Sequence, residues 1–158
     1  MSRDRFEDAG LATATARVRR RWHNACESLG VSEPLETDWW QIIETHYNET
    51  NRYYHTLVHI DAMLTLASKY NHAVRDKTAV DLAIIFHDII YDAVHGGGGK
   101  NERESAQQFV EFAKRTTMPQ DRISKISHWI ECTFTHDSDG LDKDGRLFMD
   151  FDMSILGA

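Results

Sequence analysis

Proline and cysteine are scarce, with two of each in 158 residues. Pro34 and Pro119 both fall between apolar-periodic segments, so most of the chain is free of the residue that breaks helices. Cys26 and Cys132 are too few for a disulfide-built secreted domain and suit a reducing compartment. No run approaches 18 consecutive apolar residues, so no transmembrane helix is expected. The opening "MSRDRFEDAG" lacks the apolar segment of a signal peptide, and a cytoplasmic setting is expected. Basic residues are also short, 18 against 25 acidic, for a net charge of −7. That balance argues against a nucleic-acid polymer or an anionic membrane as main partner. Convincing strand-like alternation and internal repeats are both missing.

What is present reads as helices. The length suits one domain with a sizeable core, here residues 1–158. Within it, about 1–36 form an N-terminal helix and loop, and about 37–158 form a bundle that carries the motifs. Leu11, Ala14, Val18 and Trp22 share a face of a first helix over roughly 8–29, ended by Gly30. Thr37 or Asp38 can cap a second helix holding Trp39, Ile42, Ile43 and Tyr47. A third covers about 55–69. "DKTAVDLAIIFHDIIYD" reads as a nearly all-round apolar helix for the middle of a bundle. "AVHGGGGKNERE" reads as a flexible loop, "SAQQFVEFAKRT" and "PQDRISKISHWIECTFTH" as helices, and "DSDGLDKDG" as a polar loop. The final "RLFMDFDMSILGA" leaves little length for a helix, so either it packs as a short stub or the chain is a fragment. The fold class is all-α.

The polyglycine does not make a phosphate-binding P-loop. Counting back from Gly99-Lys100 puts Val94 where the first glycine belongs, and Asn101 follows the lysine in place of Ser or Thr. The chemistry lies elsewhere, in polar residues set among apolar ones. His55 and His59 in "YYHTLVHI" are four apart, a spacing that stacks both imidazoles on one helical face. They can share a metal, split metal binding and proton handling, or simply belong to the core. His87-Asp88 interrupts "IIFHDIIYD", where an unpaired carboxylate would cost several kcal/mol. A core histidine bonded to a carbonyl beside an ion-paired aspartate accounts for this pair equally well. Asp150 and Asp152 sit in "FMDFDMSIL", and one of them can cap the last helix. Together the segments offer two histidines and two carboxylates, a donor set suited to a hydrolytic divalent ion such as Mn²⁺, Fe²⁺, Mg²⁺ or Zn²⁺. Such an ion would explain why these groups tolerate burial.

The order of a histidine, then His-Asp, then a distant aspartate resembles the HD-domain superfamily of metal-dependent phosphohydrolases. "RYYHTLVHI", "FHDIIYD", "NERESA", "ECTFTH" and "MDFDMSILG" are similar, in order, to the motifs of a bacterial branch described as predicted metal-dependent HD phosphohydrolases. The resemblance runs from about Trp39 to the last residue. It implies an HD-domain helical bundle with His59, His87, Asp88 and Asp152 as ligands of a divalent metal ion (Mn, Fe, Mg, Co, Ni or Zn). Asp152 is preferred to Asp150 because it precedes "MS", as the family's last ligand precedes Leu-Ser. A likeness to the histidine pair of cyclic-nucleotide phosphodiesterases implies His55 as general acid, assisted by Tyr54 or Arg52, with Asp88 also in the catalytic set. Glu102, rather than Glu104, is a further site candidate, as are Asp92 for a second ion or bound water and His136 for phosphate or a second metal. Thr56 stands where many relatives have Asn. Relatives continue for several helices after "SILG", so the bundle is expected to lack its C-terminal helices, and the apolar side thereby exposed could drive formation of a homo-oligomer. His23, His46, His72, His95 and His128 receive no role, and the four tryptophans are read as core or partly buried aromatics.

The expected reaction is hydrolysis of a small-molecule phosphate ester, by default a nucleotide, as a phosphomonoesterase or phosphodiesterase. A metal lowers the pKa of bound water from near 16 to about 7, and the hydroxide attacks phosphorus while His55 protonates the leaving oxygen. Two alternatives remain at this point. One is a di-iron HD-type oxygenase that uses Asp92 and His136 for its second ion, and the other is a non-catalytic binding module stabilised by a metal.

Overall fold

The computed structural model describes residues 3–156, with side chains from residue 9 onward. Those residues form seven α-helices and no strand. They are α1 (Arg3–Ser28), α2 (Glu33–Tyr47), α3 (Leu57–Lys69), α4 (Lys77–Phe86), α5 (Lys100–Ala113), α6 (Gln120–Cys132) and α7 (Lys143–Leu156), with a 3₁₀ turn at Asn71–Ala73. The all-α expectation holds, and no helix among the described residues is long and apolar enough to cross a membrane.

Helix α4 is the hub. Ala79, Val80 and every residue from Leu82 to Phe86 are buried, because α1, α3, α5, α6 and α7 all pack against it. A helix apolar on all sides needs neighbours on all sides, and here it has them. Around Phe86 stand Trp22, Trp39, Phe109 and Phe112, with ring centroids 5.6–5.9 Å from Phe86. This aromatic knot joins α1, α2, α4 and α5 into one core. At the start of α4, Asp76 caps the helix by accepting from the Ala79 N–H. Asp76 also takes a bidentate pair from Arg122 of α6. The Asp144 carboxylate of α7 accepts from the backbone N–H groups of Arg75 and Asp76. One helix end is thereby fastened to two others.

Several boundaries differ from the sequence reading. Helix α2 starts at Glu33, capped by Ser32 rather than Thr37 or Asp38, with Pro34 in its first turn, where a missing N–H costs nothing. The helix through "AIIFHDIIYD" stops at Phe86, where backbone carbonyls on both sides of that point are claimed by side chains from outside. Tyr47 donates its hydroxyl to the Ile85 carbonyl at 2.6 Å, and Arg52 donates to the carbonyls of Asp88 and Ile89, both at 2.6 Å. His55 precedes α3 rather than lying on it, since Thr56 is the cap.

"KNERE" belongs to α5, and the polyglycine before it is a built turn rather than a formless loop. Asp92 accepts from the N–H groups of Val94 and His95, while the Asn101 side chain bonds both the N–H and the carbonyl of Asp92. Gly98 and Gly99 take the left-handed conformation at φ 68° and 82°. The expected C-terminal stub is instead a helix of 14 residues that begins inside the "polar loop" at Lys143.

Helix α7 seats on α6 through Gly145. A Cβ there would lie 2.5 Å from Trp129 Nε1, and the indole is buried against the core. Gly145→Ala is therefore expected to destabilise the fold by about 1–3 kcal/mol, the usual cost of overpacking. Urea unfolding of the two proteins checks this, and equal midpoints would show that the α6–α7 junction is loose.

Candidate metal centre

Three separate segments deliver the polar cluster. His59 lies in the first turn of α3, His87 at the end of α4, and Asp152 near the end of α7. All three are buried, and one ligand atom from each falls within 4.8 Å of the others. The Asp152 Oδ1 atom is 3.3 Å from His59 Nε2 and 3.4 Å from His87 Nε2. Asp88, on the turn after α4, brings its Oδ2 to 3.3 Å from His87 Nε2 and 3.7 Å from His59 Nε2. Asp88 is not a member of the three-residue group, although it borders both imidazoles.

Despite this crowding, neither His59 Nε2 nor His87 Nε2 has a hydrogen-bond partner. The cause at His87 is readable. Its Nδ1 lies 2.6 Å from the Ile84 carbonyl, and a carbonyl can only accept, so Nδ1 carries the proton. In the neutral ring the Nε2 lone pair therefore faces the carboxylates. An orphaned buried nitrogen is expensive, and two of them beside carboxylates call for a cation between. The spacings suit one. First-row divalent ions hold N and O at about 2.0–2.2 Å, which separates neighbouring donors by about 3.0 Å in an octahedral shell and about 3.4 Å in a tetrahedral one. The donor set of two imidazoles plus carboxylate also matches such ions.

Without an ion, protons take over the compensation. Burial works against a charged His87, but Asp88 and Asp152 outweigh it and hold the imidazole well above its ordinary pKa. Burial likewise opposes charge on Asp88, yet His87 and then His55 hold that carboxyl well below the usual range. Asp152 is lowered in the same way, its burial outweighed by His59, His87 and His136.

The outer residues divide clearly. His55 is partly exposed at the edge, with Nδ1 3.0 Å from Asp88 Oδ2 and its ring stacked on Tyr91 at 4.2 Å. Because it precedes α3, its ring stands edge-on to His59, centroids 6.3 Å apart, rather than stacked by helical spacing. Arg52 does not face the site. Its side chain is fully buried, and the guanidinium bonds Glu49 and the carbonyls of His55, Asp88 and Ile89. The expected assistant Tyr54 points to solvent at 82% exposure. Asp92 is exposed and spends one oxygen on its own turn. Glu102 lies in the first turn of α5 with a buried Oε2 that has no partner, outside the three-residue group. His136 reaches Asp152 Oδ2 with Nε2 at 2.8 Å, and Asp150 is exposed. Sequence reasoning missed Tyr91 and Tyr47. "HDIIYD" does place an aromatic one turn past His87, but nothing in the letters announces a stacking partner for His55.

A scan against family models and searches of curated proteins and of solved structures find no match to this chain.

Metal uptake is expected to expel a proton. The raised His87 pKa stabilises the ion-free fold fully below about pH 6.5, and that contribution is lost as pH rises through the higher folded value. The lowered Asp88 and Asp152 act oppositely, contributing fully above about pH 4 and losing their effect as pH falls through their depressed values. An imidazole must be neutral to bind a metal, so Mn²⁺ titrated into ion-free protein near neutral pH should release about one proton, with affinity rising with pH. Calorimetry in buffers of different ionisation enthalpy measures this. A binding heat independent of buffer would remove His87 from the ligand set.

Proposed function

We propose that this chain is a metal-dependent phosphohydrolase of the HD type, acting on a phosphate ester of a small molecule. Nucleotides are the substrate class suggested by the family resemblance. The observation that carries the reading is the pair of buried, partnerless Nε2 atoms of His59 and His87 facing the carboxylates of Asp152 and Asp88. A bound divalent ion would supply Lewis acidity toward a phosphoryl oxygen and an activated water at neutral pH.

The chain's own residues supply the rest. His59, His87 and Asp152 would hold the ion, with Asp88 beside them. Asp88 has a second duty. Its Oδ2 accepts from His55 Nδ1–H, so the doubly protonated ring can hand its Nε2 proton to a leaving oxygen and return to the Nδ1–H tautomer. Tyr91 keeps the imidazole in one plane by stacking on it. Arg52 ties the His55 carbonyl to those of Asp88 and Ile89, so that acid and carboxylate keep their spacing. With its donors so engaged, Arg52 is not a phosphate-binding arginine. A di-iron oxygenase would need a second ligand set, and of its candidates His136 is bonded to Asp152 and exposed Asp92 bonds its own turn through one oxygen.

The test combines elemental analysis with phosphate release over a panel of nucleotides and sugar phosphates, with Mn²⁺, Mg²⁺, Co²⁺ or Ni²⁺ added. His59→Ala and Asp152→Ala are expected to lose bound metal and activity together. His55→Gln should keep its metal and lose about 10²–10⁴-fold in kcat, the usual contribution of a general acid. Wild-type metal content in both alanine variants would defeat the assignment. Stoichiometric metal without turnover would point to a binding module, and two irons with O₂-dependent turnover to an oxygenase.

A further inference from the structure

His136 holds a backbone conformation that side chains avoid. Its φ is +53°, and among the described residues no other non-glycine has a positive φ. It sits where the chain leaves α6, its N–H donating to the Cys132 carbonyl at 2.9 Å. A left-handed residue past a helix end is usually Gly or Asn, because a Cβ crowds the following carbonyl oxygen. Glycine would fit this turn better, so the strain must be offset by what the side chain does.

The imidazole makes one contact of consequence. Nε2 lies 2.8 Å from Asp152 Oδ2, and since an ionised carboxylate only accepts, Nε2–H is the donor. The two Asp152 oxygens are thereby divided. Oδ2 is taken by His136, while Oδ1 faces His59 Nε2 at 3.3 Å and His87 Nε2 at 3.4 Å. The two ends of the contact differ in access. The His136 side chain is 27% exposed and the Asp152 side chain 4%, so the bond runs from a partly exposed imidazole to a buried carboxylate.

We propose that His136 is a positioning residue: the strained turn after α6 is kept so that its imidazole pins Asp152 and leaves a single oxygen, Oδ1, for a divalent cation. This rests on the proposed cation site and not on the reaction carried out there. Ligating carboxylates are commonly oriented by a hydrogen bond to their other oxygen, and removing such partners weakens metal binding about 10–100-fold.

Two substitutions separate positioning from a plain structural bond. His136→Gly removes the imidazole and relieves the backbone. His136→Gln keeps the strain but places an amide N–H where Nε2–H was. Mn²⁺ affinity is read by calorimetry on each protein, and the melting temperature is read on the ion-free forms. His136→Gly is expected to bind Mn²⁺ about 10–100-fold more weakly while its ion-free melting temperature stays level or rises. His136→Gln should recover most of the affinity. In the Co²⁺-loaded protein, the visible absorption of the Gly variant should depart from wild type and that of the Gln variant should not. Affinity unchanged in His136→Gly would overturn the proposal, and so would a fall in ion-free stability that accounts for the whole loss. If the wild type itself takes up no Mn²⁺, the cation site fails and this inference fails with it, whereas absence of phosphatase activity leaves it standing.

Discussion

Two buried imidazole nitrogens that crowd carboxylates without forming a hydrogen bond to them are the constraint around which this molecule is arranged. Apolar packing could fill the same space at lower cost, so the cluster at His59, His87 and Asp152 demands compensation by a cation or by protons. In the ion-free protein protons provide it, which is why His87 is raised and both aspartates are lowered. That compensation is temporary by nature. A divalent ion held by His59, His87 and Asp152 would replace diffuse protonation with one fixed charge.

Holding such a cluster depends on who owns the backbone carbonyls around it. Helix α4 runs into the site and ends there, with His87 as its C-cap and Asp88 on the turn that follows. Tyr47 and Arg52 enforce the stop by taking the carbonyls of Ile85, Asp88 and Ile89. Arg52 also holds the His55 carbonyl and faces the rings of Tyr47 and Tyr91. One buried guanidinium therefore joins the segment before α3 to the turn after α4. An arginine three residues before the general-acid candidate His55 invites a substrate-binding role, yet it spends its donors on backbone carbonyls and Glu49.

The legible part of this structure was the part written in contrasts of polarity. His59, His87 and Asp152 stood out because each interrupts apolar letters, and the all-α class followed from helical spacing and scarce proline. Asp152 was separable from Asp150 only by family likeness, and burial agrees, with Asp150 on the surface and Asp152 inside. What stayed hidden was tertiary. The end of α4 at Phe86 depends on a tyrosine and an arginine some 35 to 40 positions earlier in the chain, which no local pattern can reveal. His55 left the expected helical face because Thr56 caps α3, a local signal outweighed in reading by the four-residue spacing. Tyr91 and the strained His136 depend on φ and ring placement, to which letters are blind.

The run Gly96–Gly99 shows how a repetitive string can conceal unequal demands. Gly96 has no room for a methyl because the Asn101 side chain occupies that space, and Asn101 is itself bound to Asp92. Gly98 and Gly99 are required for their sign of φ. Gly97 meets neither condition. Drift in sequence should therefore be lopsided across these four letters: one is replaceable, one is held by a neighbouring side chain, and two are held by their backbone conformation.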